Sequence, residues 1–210
     1  AIAHSIDREG IVKALVQGQS IVVNSLCFPS QFGCTQDVPT YDYNPEKAKK
    51  LLAEAGYPNG FETPFLAYRN RDYAEAMINN LNAVGIKAKL EYLKYAAFRD
   101  KVQSGGAPFN FGTWGSYSIN DVSAITSHFQ SGGKDDYSKD PEVIKQLGIG
   151  DTSVDANVRK AAYKAALSRI SGEAFMFPLW SYNTWYAFSK DVDFNPTPDE
   201  IPRFFTAKWM

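Results

Sequence analysis

The sequence predicts an α/β fold in which a mostly parallel β-sheet is flanked by helices. Residues 61–68 have the composition of a strand, residues 72–84 carry apolar side chains at helical spacing, and residues 86–93 alternate between apolar and polar side chains. A strand, a helix and a second strand within roughly 30 residues form a βαβ unit. Its default geometry is a right-handed crossover between two parallel strands.

The N-terminal part is predicted to contain a helix over residues 11–16, which follows Asp7 and ends at Gly18. Residues 21–23 have the composition of a short strand. The segment from there to residue 42 is a long loop that contains two prolines and a glycine. A loop of this length in a compact domain is usually functional or held down by other contacts.

Two cysteines, Cys27 and Cys34, lie in this loop and are separated by six residues. That spacing permits a disulfide, which an oxidising compartment would favour. A pair of free thiols is the alternative that the sequence leaves open. A metal site is disfavoured, because a structural zinc site needs four closely spaced ligands and only His4 and His128 could complete one. We therefore expect no metal and no cofactor.

Three further helices lie between residues 44 and 102. The first has Asn44 as N-cap, Pro45 at its first position and Gly56 at its end. The second is predicted to begin with a capping box formed by Asp72 and Glu75 and to run through residue 84. The third covers residues 95–102.

A third strand of the same sheet is predicted to open the segment 109–121, which begins with alternating side chains. Short polar residues follow, and Asn120 is placed to cap a helix over residues 121–129. A strand that ends with a tryptophan, a tyrosine and small polar groups before a helix has the composition of a small-molecule pocket, although a core position for either ring is the alternative. The candidate ligand-binding residues are Trp114, Gly115, Tyr117, Ser118, Asn120 and Asp121.

Two arginines, Arg69 and Arg71, lie just before the helix predicted over residues 72–84. Each could present its guanidinium group to a carboxylate or a phosphate, so we add both to the candidate ligand-binding residues. The alternative is that they are ordinary surface arginines.

The C-terminal third is predicted to contain two helices, which begin after the caps Asp140 and Asp155. The second helix is the longest, and its buried stripe is predicted to comprise Tyr163, Ala166, Leu167 and Ile170. Residues 175–180 and 184–188 are predicted strands, the first interrupted by a proline. After residue 191 the sequence has little periodicity, so we expect a tail that packs on another surface.

Composition and charge exclude some classes of partner. The formal net charge is -1, from 22 basic and 23 acidic residues that are well mixed, so no sustained field favours nucleic acid or an anionic membrane. The N-terminus has neither the basic region nor the apolar region of a signal peptide. It also lacks an initiator methionine and opens inside a helical pattern, so we expect a processed or truncated chain.

No common catalytic motif is present: there is no nucleophile elbow, no paired-histidine zinc motif and no phosphate-binding loop. Asp135, Asp136 and Asp140 could serve as the two acids of a glycoside hydrolase, which keeps a carbohydrate-active enzyme fragment as an alternative function. Their polar loop favours a solvated turn instead. A satisfied structural role is expected for His128. We therefore predict a protein that binds a solute without reacting with it.

Five segments resemble the periplasmic solute-binding proteins of the dipeptide, oligopeptide and nickel-binding class, family 5 of the extracellular solute-binding proteins. The most specific is residues 43–57, YNPEKAKKLLAEAGY. Residues 1–12 (AIAHSIDREGIV), 111–121 (FGTWGSYSIND), 159–163 (RKAAY) and 177–180 (FPLW) are similar to other segments of the same family. The resemblance extends over nearly the whole chain.

This resemblance implies one lobe of a two-lobed binding protein with a mixed, mostly parallel sheet. Residues 1–182 would form the C-terminal ligand-binding lobe, and residues 183–210 would return to an N-terminal lobe that this sequence does not contain. The implied partners are a small-molecule or peptide-like solute, the ABC permease in the inner membrane and the protein's own N-terminal lobe, with no nucleic acid. The implied location is periplasmic or extracellular.

One departure from the family pattern concerns the ligand. The peptide-binding members carry an aspartate that pairs with the ligand's α-amino group, whereas this sequence has Tyr117 there and Asn120 at the second acidic position. A neutral ring cannot neutralise an ammonium group in a closed cleft of low dielectric. We therefore expect the natural ligand to be an opine, a sugar conjugate or a capped peptide rather than a plain peptide.

Overall fold

The computed structural model of the protein describes residues 1–197 and 201–210, apart from the side chain of Tyr117. In chain order the α-helices are α1 (Ile2–Ser5), α2 (Arg8–Ile11), α3 (Pro45–Glu54), α4 (Arg71–Ala83), α5 (Tyr95–Gln103), α6 (Ser123–Phe129), α7 (Pro141–Thr152) and α8 (Ala156–Gly172), and a π-helical turn, Val12–Val16, follows α2. The strands are β1 (Phe61–Ala67), β2 (Ile86–Tyr92), β3 (Asn110–Phe111), β4 (Val192–Asp193) and β5 (Lys208–Trp209). No helix in the described part of the chain is long and apolar enough to span a bilayer.

The main sheet has three strands in the order β2-β1-β3, and both pairings are parallel. Strands β1 and β2 are in register from Phe61 opposite Ile86 to Ala67 opposite Tyr92. Helix α4 connects them and packs on both. The predicted βαβ unit is therefore confirmed. Strand β3 is the predicted third member, although it contains only two residues.

Three of the predicted helix caps are confirmed. Asn44 Oδ1 accepts a hydrogen bond from the amide of Lys47 at 2.9 Å, and Pro45 takes the first position of α3. Asp140 and Asp155 accept amide hydrogen bonds at the starts of α7 and α8. The first amides of a helix have no acceptor within the helix, and each of these side chains supplies one.

Two other caps were predicted wrongly. Helix α4 begins at Arg71 after Asn70, which adopts a left-handed conformation with φ of 50°, so the predicted box formed by Asp72 and Glu75 does not start it. Helix α6 begins at Ser123 without a side-chain cap at its N-cap residue, so Asn120 does not cap it. The start of α6 is stabilised by Asp121, whose Oδ1 accepts from the amide of Ser123.

The predicted strands at residues 21–23 and 175–180 do not form. Val22 and Trp180 instead make an isolated antiparallel bridge. The carbonyl oxygens of Val23 and Pro178 both accept from the buried guanidinium group of Arg8, at 2.9 and 3.0 Å. These carbonyl groups are therefore satisfied by a side chain rather than by a neighbouring strand.

Two main clusters of buried side chains hold the chain together. One lies between α4 and the sheet, where Phe65, Met77 and Leu81 are almost fully buried. The other lies between α7 and α8 and contains the predicted stripe, Tyr163, Ala166, Leu167 and Ile170, each of which is fully buried. Burial raises the pKa of Tyr163 to about 12.

In the described part of the C-terminal segment, residues 181–197 and 201–210, strands β4 and β5 pair antiparallel. The strand predicted over residues 184–188 is absent from it. Its aromatic rings are unusually exposed: Trp185 is 84% exposed, Phe205 is 85% exposed and Trp209 is 82% exposed. This segment therefore has apolar surface that the rest of the described chain does not cover.

Candidate functional site

The candidate residues gather where the parallel strands end. Strand β1 is followed by Tyr68 and Arg69, and β3 is followed by Gly112 and Thr113. The hydroxyl groups of Tyr68 and Thr113 lie 2.8 Å apart, and Arg69 Nη1 donates to Thr113 Oγ1 at 3.2 Å. Ligands of open α/β sheets bind at this carboxyl edge. Both strands therefore deliver polar groups to the same place.

This edge belongs to a wide concave face with a volume of about 1790 Å³, whose lining continues to Tyr57 and Phe61 at the opposite end of β1. Pockets that enclose a small molecule usually measure about 300–1000 Å³, so this is an open face rather than a closed pocket. The sequence-predicted residues that line it are Trp114, Gly115, Ser118 and Asn120. Thr113, Tyr68, Tyr95 and His128, which were not predicted as ligand-binding residues, also line it.

Trp114 is half-buried, and among the described side chains its ring packs against those of His128 and Phe129. Its indole stacks on the imidazole of His128 with 4.4 Å between centroids and meets the edge of Phe129 at 5.0 Å. His128 Nε2 lies 3.5 Å from Asp135 Oδ2. Trp114 is thus at the surface of the concave face and is supported from behind.

The support beneath His128 is an ion pair between Arg99 and Asp135. The guanidinium donates to both carboxylate oxygens of Asp135, and the Nη2 to Oδ2 distance is 2.9 Å. Hydrogen bonding from Arg99 lowers the pKa of the Asp135 carboxyl group below its usual range. Two aligned bonds fix orientation as well as charge. The ion pair therefore holds His128 in a fixed orientation, and Trp114 stacks on the ring of His128.

The prediction that the three loop aspartates lie in a solvated turn was wrong. Asp136 is 1% exposed, and its carboxylate accepts from the amides of Gly132, Ser138 and Lys139 and from the hydroxyl of Ser138. The loop satisfies its own backbone through this buried carboxylate. The polar composition of this loop is the same for a buried carboxylate that accepts backbone hydrogen bonds as for an exposed turn, so the sequence did not distinguish them.

Asp140 is also buried, and Arg169 binds both of its oxygens, at 2.8 and 2.6 Å. Hydrogen bonding from Arg169 and from the first amides of α7 lowers the pKa of Asp140 to about 2. The acid of a glycoside hydrolase needs a raised pKa. The environments of Asp135 and Asp140 shift their pKa values in the opposite direction.

Loop 115–121, which follows Trp114, has an uncommon backbone. Ser116 and Ser118 are both left-handed, with φ of 55° and 63°. Gly115 and Asn120 are exposed, and the side chain of Tyr117 lies outside the described residues. The loop presents short polar groups beside the Trp114 ring.

The charged groups of Asp121 and Arg71 are each paired with a group of opposite charge. Asp121 Oδ2 accepts from Arg159 at 2.8 Å. Arg71 Nε donates to Glu75 Oε1 at 2.7 Å, and its guanidinium lies 5.9 Å from the Tyr92 ring centroid. Arg69 does not itself line the concave face, but it donates to Thr113, which does, and it forms no salt bridge among residues 1–197 and 201–210.

Tyr182 also lines the face and was not predicted from the sequence. Its hydroxyl donates to Asn70 Oδ1 at 3.2 Å, and its ring stacks on Tyr73 with 6.3 Å between centroids. Burial raises the pKa of its hydroxyl group. Tyr68 could have been found by its position directly after a predicted strand, but no local pattern marks Tyr182.

A family model described as "Bacterial extracellular solute-binding proteins, family 5 Middle" matches residues 1–136. Heme-binding protein A of Haemophilus influenzae is 32% identical over 113 residues, which are 50% of this chain and 21% of that protein. The dipeptide-binding protein of Escherichia coli is 34% identical over 110 residues, which are 46% of this chain and 21% of that protein. The chain thus spans about a fifth of the curated relatives it matches.

Solved structures show the same fold. HbpA2 from Haemophilus parasuis superimposes with a TM-score of 0.84 at 26% identity, and the match covers 100% of this chain and 44% of that one. AgaA from A. tumefacien R10, in complex with agropinic acid, gives a TM-score of 0.72 at 28% identity over 85% of this chain and 39% of that one. These neighbours are two-lobed periplasmic binding proteins, of which this chain matches less than half.

Proposed function

Because this chain belongs to family 5 of the bacterial extracellular solute-binding proteins, we propose that it is part of the receptor of an ABC importer. Residues 1–182 form the C-terminal ligand-binding lobe, which captures a peptide-like or related small solute against a second, N-terminal lobe. The receptor works in the periplasm or outside the cell and delivers the solute to a permease in the inner membrane. Members of the family bind solutes and are not enzymes, and we propose the same for this chain.

The observation that carries this proposal is the open concave face at the carboxyl edge of β1 and β3. Trp114 and short polar groups of loop 115–121 line it, but its volume of about 1790 Å³ is larger than a small solute can fill. Closure of a second lobe over the solute would reduce this volume and exclude water. The face therefore suits one half of a two-part site.

The C-terminal segment supports the proposal that a second, N-terminal lobe packs against this chain. Trp185, Phe205 and Trp209 expose more than four-fifths of their surface. Large apolar side chains exposed to this degree on one short segment suit a surface that another structure covers. We propose that residues 183–210 pack on the N-terminal lobe.

Charge at the face supports a class of solute. The nearby carboxylates of Asp121 and Asp135 are neutralised by Arg159 and Arg99. The guanidinium group of Arg69 has only a hydroxyl group, that of Thr113, as a described partner. An anionic group on the solute is therefore better accommodated than a free ammonium group. We propose an opine, a sugar conjugate or a capped peptide in preference to a plain peptide.

A thermal-shift screen of the full-length protein that carries this chain tests both levels of the proposal. The panel comprises agropinic acid, mannopinic acid, glutathione, N-acetylated Met-Leu and plain Met-Leu. A solute at 100 times its Kd stabilises the protein by about 2.7 kcal/mol, which raises the melting temperature by several degrees. Stabilisation by an opine or by the capped peptide supports the proposal, whereas a larger shift with glutathione, which carries a free α-amino group, contradicts the solute class. A larger shift with plain Met-Leu contradicts the solute class, and no shift with any member contradicts the receptor function.

A further inference from the structure

A second loop borders the concave face, and a disulfide closes it. Cys27 and Cys34 are bonded to each other, so the six residues between them form a short ring whose ends cannot separate. Phe28, Ser30 and Gln31 of this loop 27–34 line the concave face. Loop 27–34 therefore belongs to the same surface as loop 115–121.

The side chain of Gln31 joins these two loops. Its Oε1 accepts from the amide of Phe28 at 2.9 Å, within loop 27–34. Its Nε2 donates to Ser116 Oγ at 3.0 Å and to the carbonyl oxygen of Ile119 at 3.1 Å, within loop 115–121. Gln31 is only 9% exposed. Every hydrogen-bonding group of its amide is used, which fixes the orientation of the side chain.

The far end of loop 115–121 is held to loop 27–34 by different contacts. The amide of Phe32 donates to the carbonyl of Asn120 at 3.1 Å, and the amide of Val122 donates to the carbonyl of Phe32 at 3.0 Å. Arg159 stacks on the Phe32 ring at 4.7 Å and pairs with Asp121. Gln31 thus acts at the beginning and middle of loop 115–121, where these contacts do not reach.

The backbone of loop 115–121 needs such contacts. Ser116 and Ser118 are left-handed, a conformation that is unfavourable for side chains other than glycine and persists where surrounding contacts impose it. Gln31 bonds to Ser116 and to Ile119, one on each side of Ser118. Without these bonds the two serines would be free to return to more favourable conformations.

We propose that Gln31 is a positioning residue that holds loop 115–121 in the shape that faces the solute. The inference rests on the proposed function in one respect, which is that loop 115–121 borders the solute site. Gln31 acts through the backbone of that loop, and the disulfide keeps Gln31 itself in place. The shape of the solute site is therefore set by loop 27–34 as well as by the sheet.

Hydrogen exchange in the ligand-free, full-length protein tests this directly. Gln31→Met keeps the length of the side chain and removes both donors. We expect the amides of Ser118 and Ile119, which donate to the carbonyl oxygens of Gly115 and Ser116, to exchange about tenfold faster, while the amides of β1 keep their rates and the melting temperature shifts by no more than about 4 °C. Gln17→Met is the matched control, because the side chain of Gln17 makes one exposed bond, to the carbonyl of Ala14, away from both loops.

Two further variants keep the test decisive. Gln31→Glu is isosteric but places a carboxylate against the Ile119 carbonyl, and Cys27→Ser combined with Cys34→Ser opens the ring. Both should accelerate exchange at the same two amides. Rates within twofold of the parent in all three variants would overturn the proposal, as would equal acceleration in β1, which would mean a loss of overall stability. Because no solute is added, failure here is distinct from failure of the solute screen.

Discussion

The indole ring of Trp114 stacks on the imidazole ring of His128, with 4.4 Å between centroids and 29° between planes. The two residues are 14 positions apart, on a loop after β3 and near the end of α6. His128 in turn lies beside the carboxylate of Asp135, which Arg99 holds. A ring supported in this way loses little freedom when a solute packs on it, which favours binding.

Replacement of Trp114 by alanine should weaken solute binding by roughly 30-fold, since a central aromatic contact commonly contributes about 2 kcal/mol. The measurement is titration calorimetry of the full-length protein with the member of the screening panel that stabilises it most. Tyr43→Ala is the control, because Tyr43 is 47% exposed and does not line the concave face. Equal affinities in parent and Trp114→Ala would remove Trp114 from the site.

Gly60→Ala should destabilise the protein far more than Gly56→Ala. Both glycines are left-handed, but a Cβ on Gly60 would lie 1.8 Å from the carbonyl oxygen of Gly85, whereas a Cβ on Gly56 would meet nothing within 4 Å. Gly56→Ala should therefore cost about 1 kcal/mol from backbone strain alone. Gly60→Ala should cost at least about 3 kcal/mol, because backbone must move at the start of β1. Urea unfolding of both variants measures the difference, and similar losses would contradict the argument.

Asp136→Ala should lower the free energy of unfolding by about 3 kcal/mol, because it leaves several buried donors without an acceptor. Those donors are the amides of Gly132, Ser138 and Lys139 and the hydroxyl of Ser138. Asp100→Ala, in an exposed position on α5, is the control and should change stability by less than about 0.5 kcal/mol. Urea unfolding at neutral pH provides the comparison. Equal stability of the two variants would show that water replaces the carboxylate.

The sequence predicted the fold well where local signals agree with tertiary packing. The cap at Asn44 and the alternation after residue 86 each describe one element, and both elements form as expected. The strand predicted over residues 175–180 failed because its partner was not a strand. The carbonyl of Pro178 is taken by Arg8, 170 residues away along the chain, and no local pattern contains that contact.

The candidate site was predictable only in part. Trp114 and loop 115–121 follow a predicted strand, so their place at the sheet edge could be inferred from the order of elements. The roles of Asp121 and Arg71 depend on whether another charge neutralises them, and the partner of Asp121 is Arg159, 38 residues away. Tyr182 and Gln31 reach the face from distant segments. Their contributions come from the fold and not from a motif.

The ion pair between Asp140 and Arg169 should make stability fall in acid. The pKa of Asp140 is lowered from 3.8 to about 2 in the folded protein. Because the folded pKa is the lower one, the contribution is fully present above about pH 4 and is lost as the pH falls towards 2. Asp140→Asn keeps an oxygen for the helix cap but removes the charge. Melting temperatures of parent and variant should therefore converge between pH 4 and pH 2, while Asp72→Asn, at an exposed position, should follow the parent throughout.

Arg69→Gln and Arg71→Gln form a matched pair that tests the charge preference of the face. Arg69 has only the Thr113 hydroxyl as a described partner, whereas Arg71 is paired with Glu75. A hydrogen bond from a charged donor contributes about 1.5–3 kcal/mol, so loss of Arg69 should weaken binding of an anionic solute by roughly 10- to 150-fold. Calorimetry at two salt concentrations measures the effect. The ligand is agropinic acid if the screen selects it, and otherwise the anionic panel member that the screen selects. The salt dependence should decrease in Arg69→Gln and persist in Arg71→Gln, because only the first change removes a charge that the solute can reach. Equal losses in the two variants would mean that neither arginine contacts the solute and that both act through the general field of the lobe.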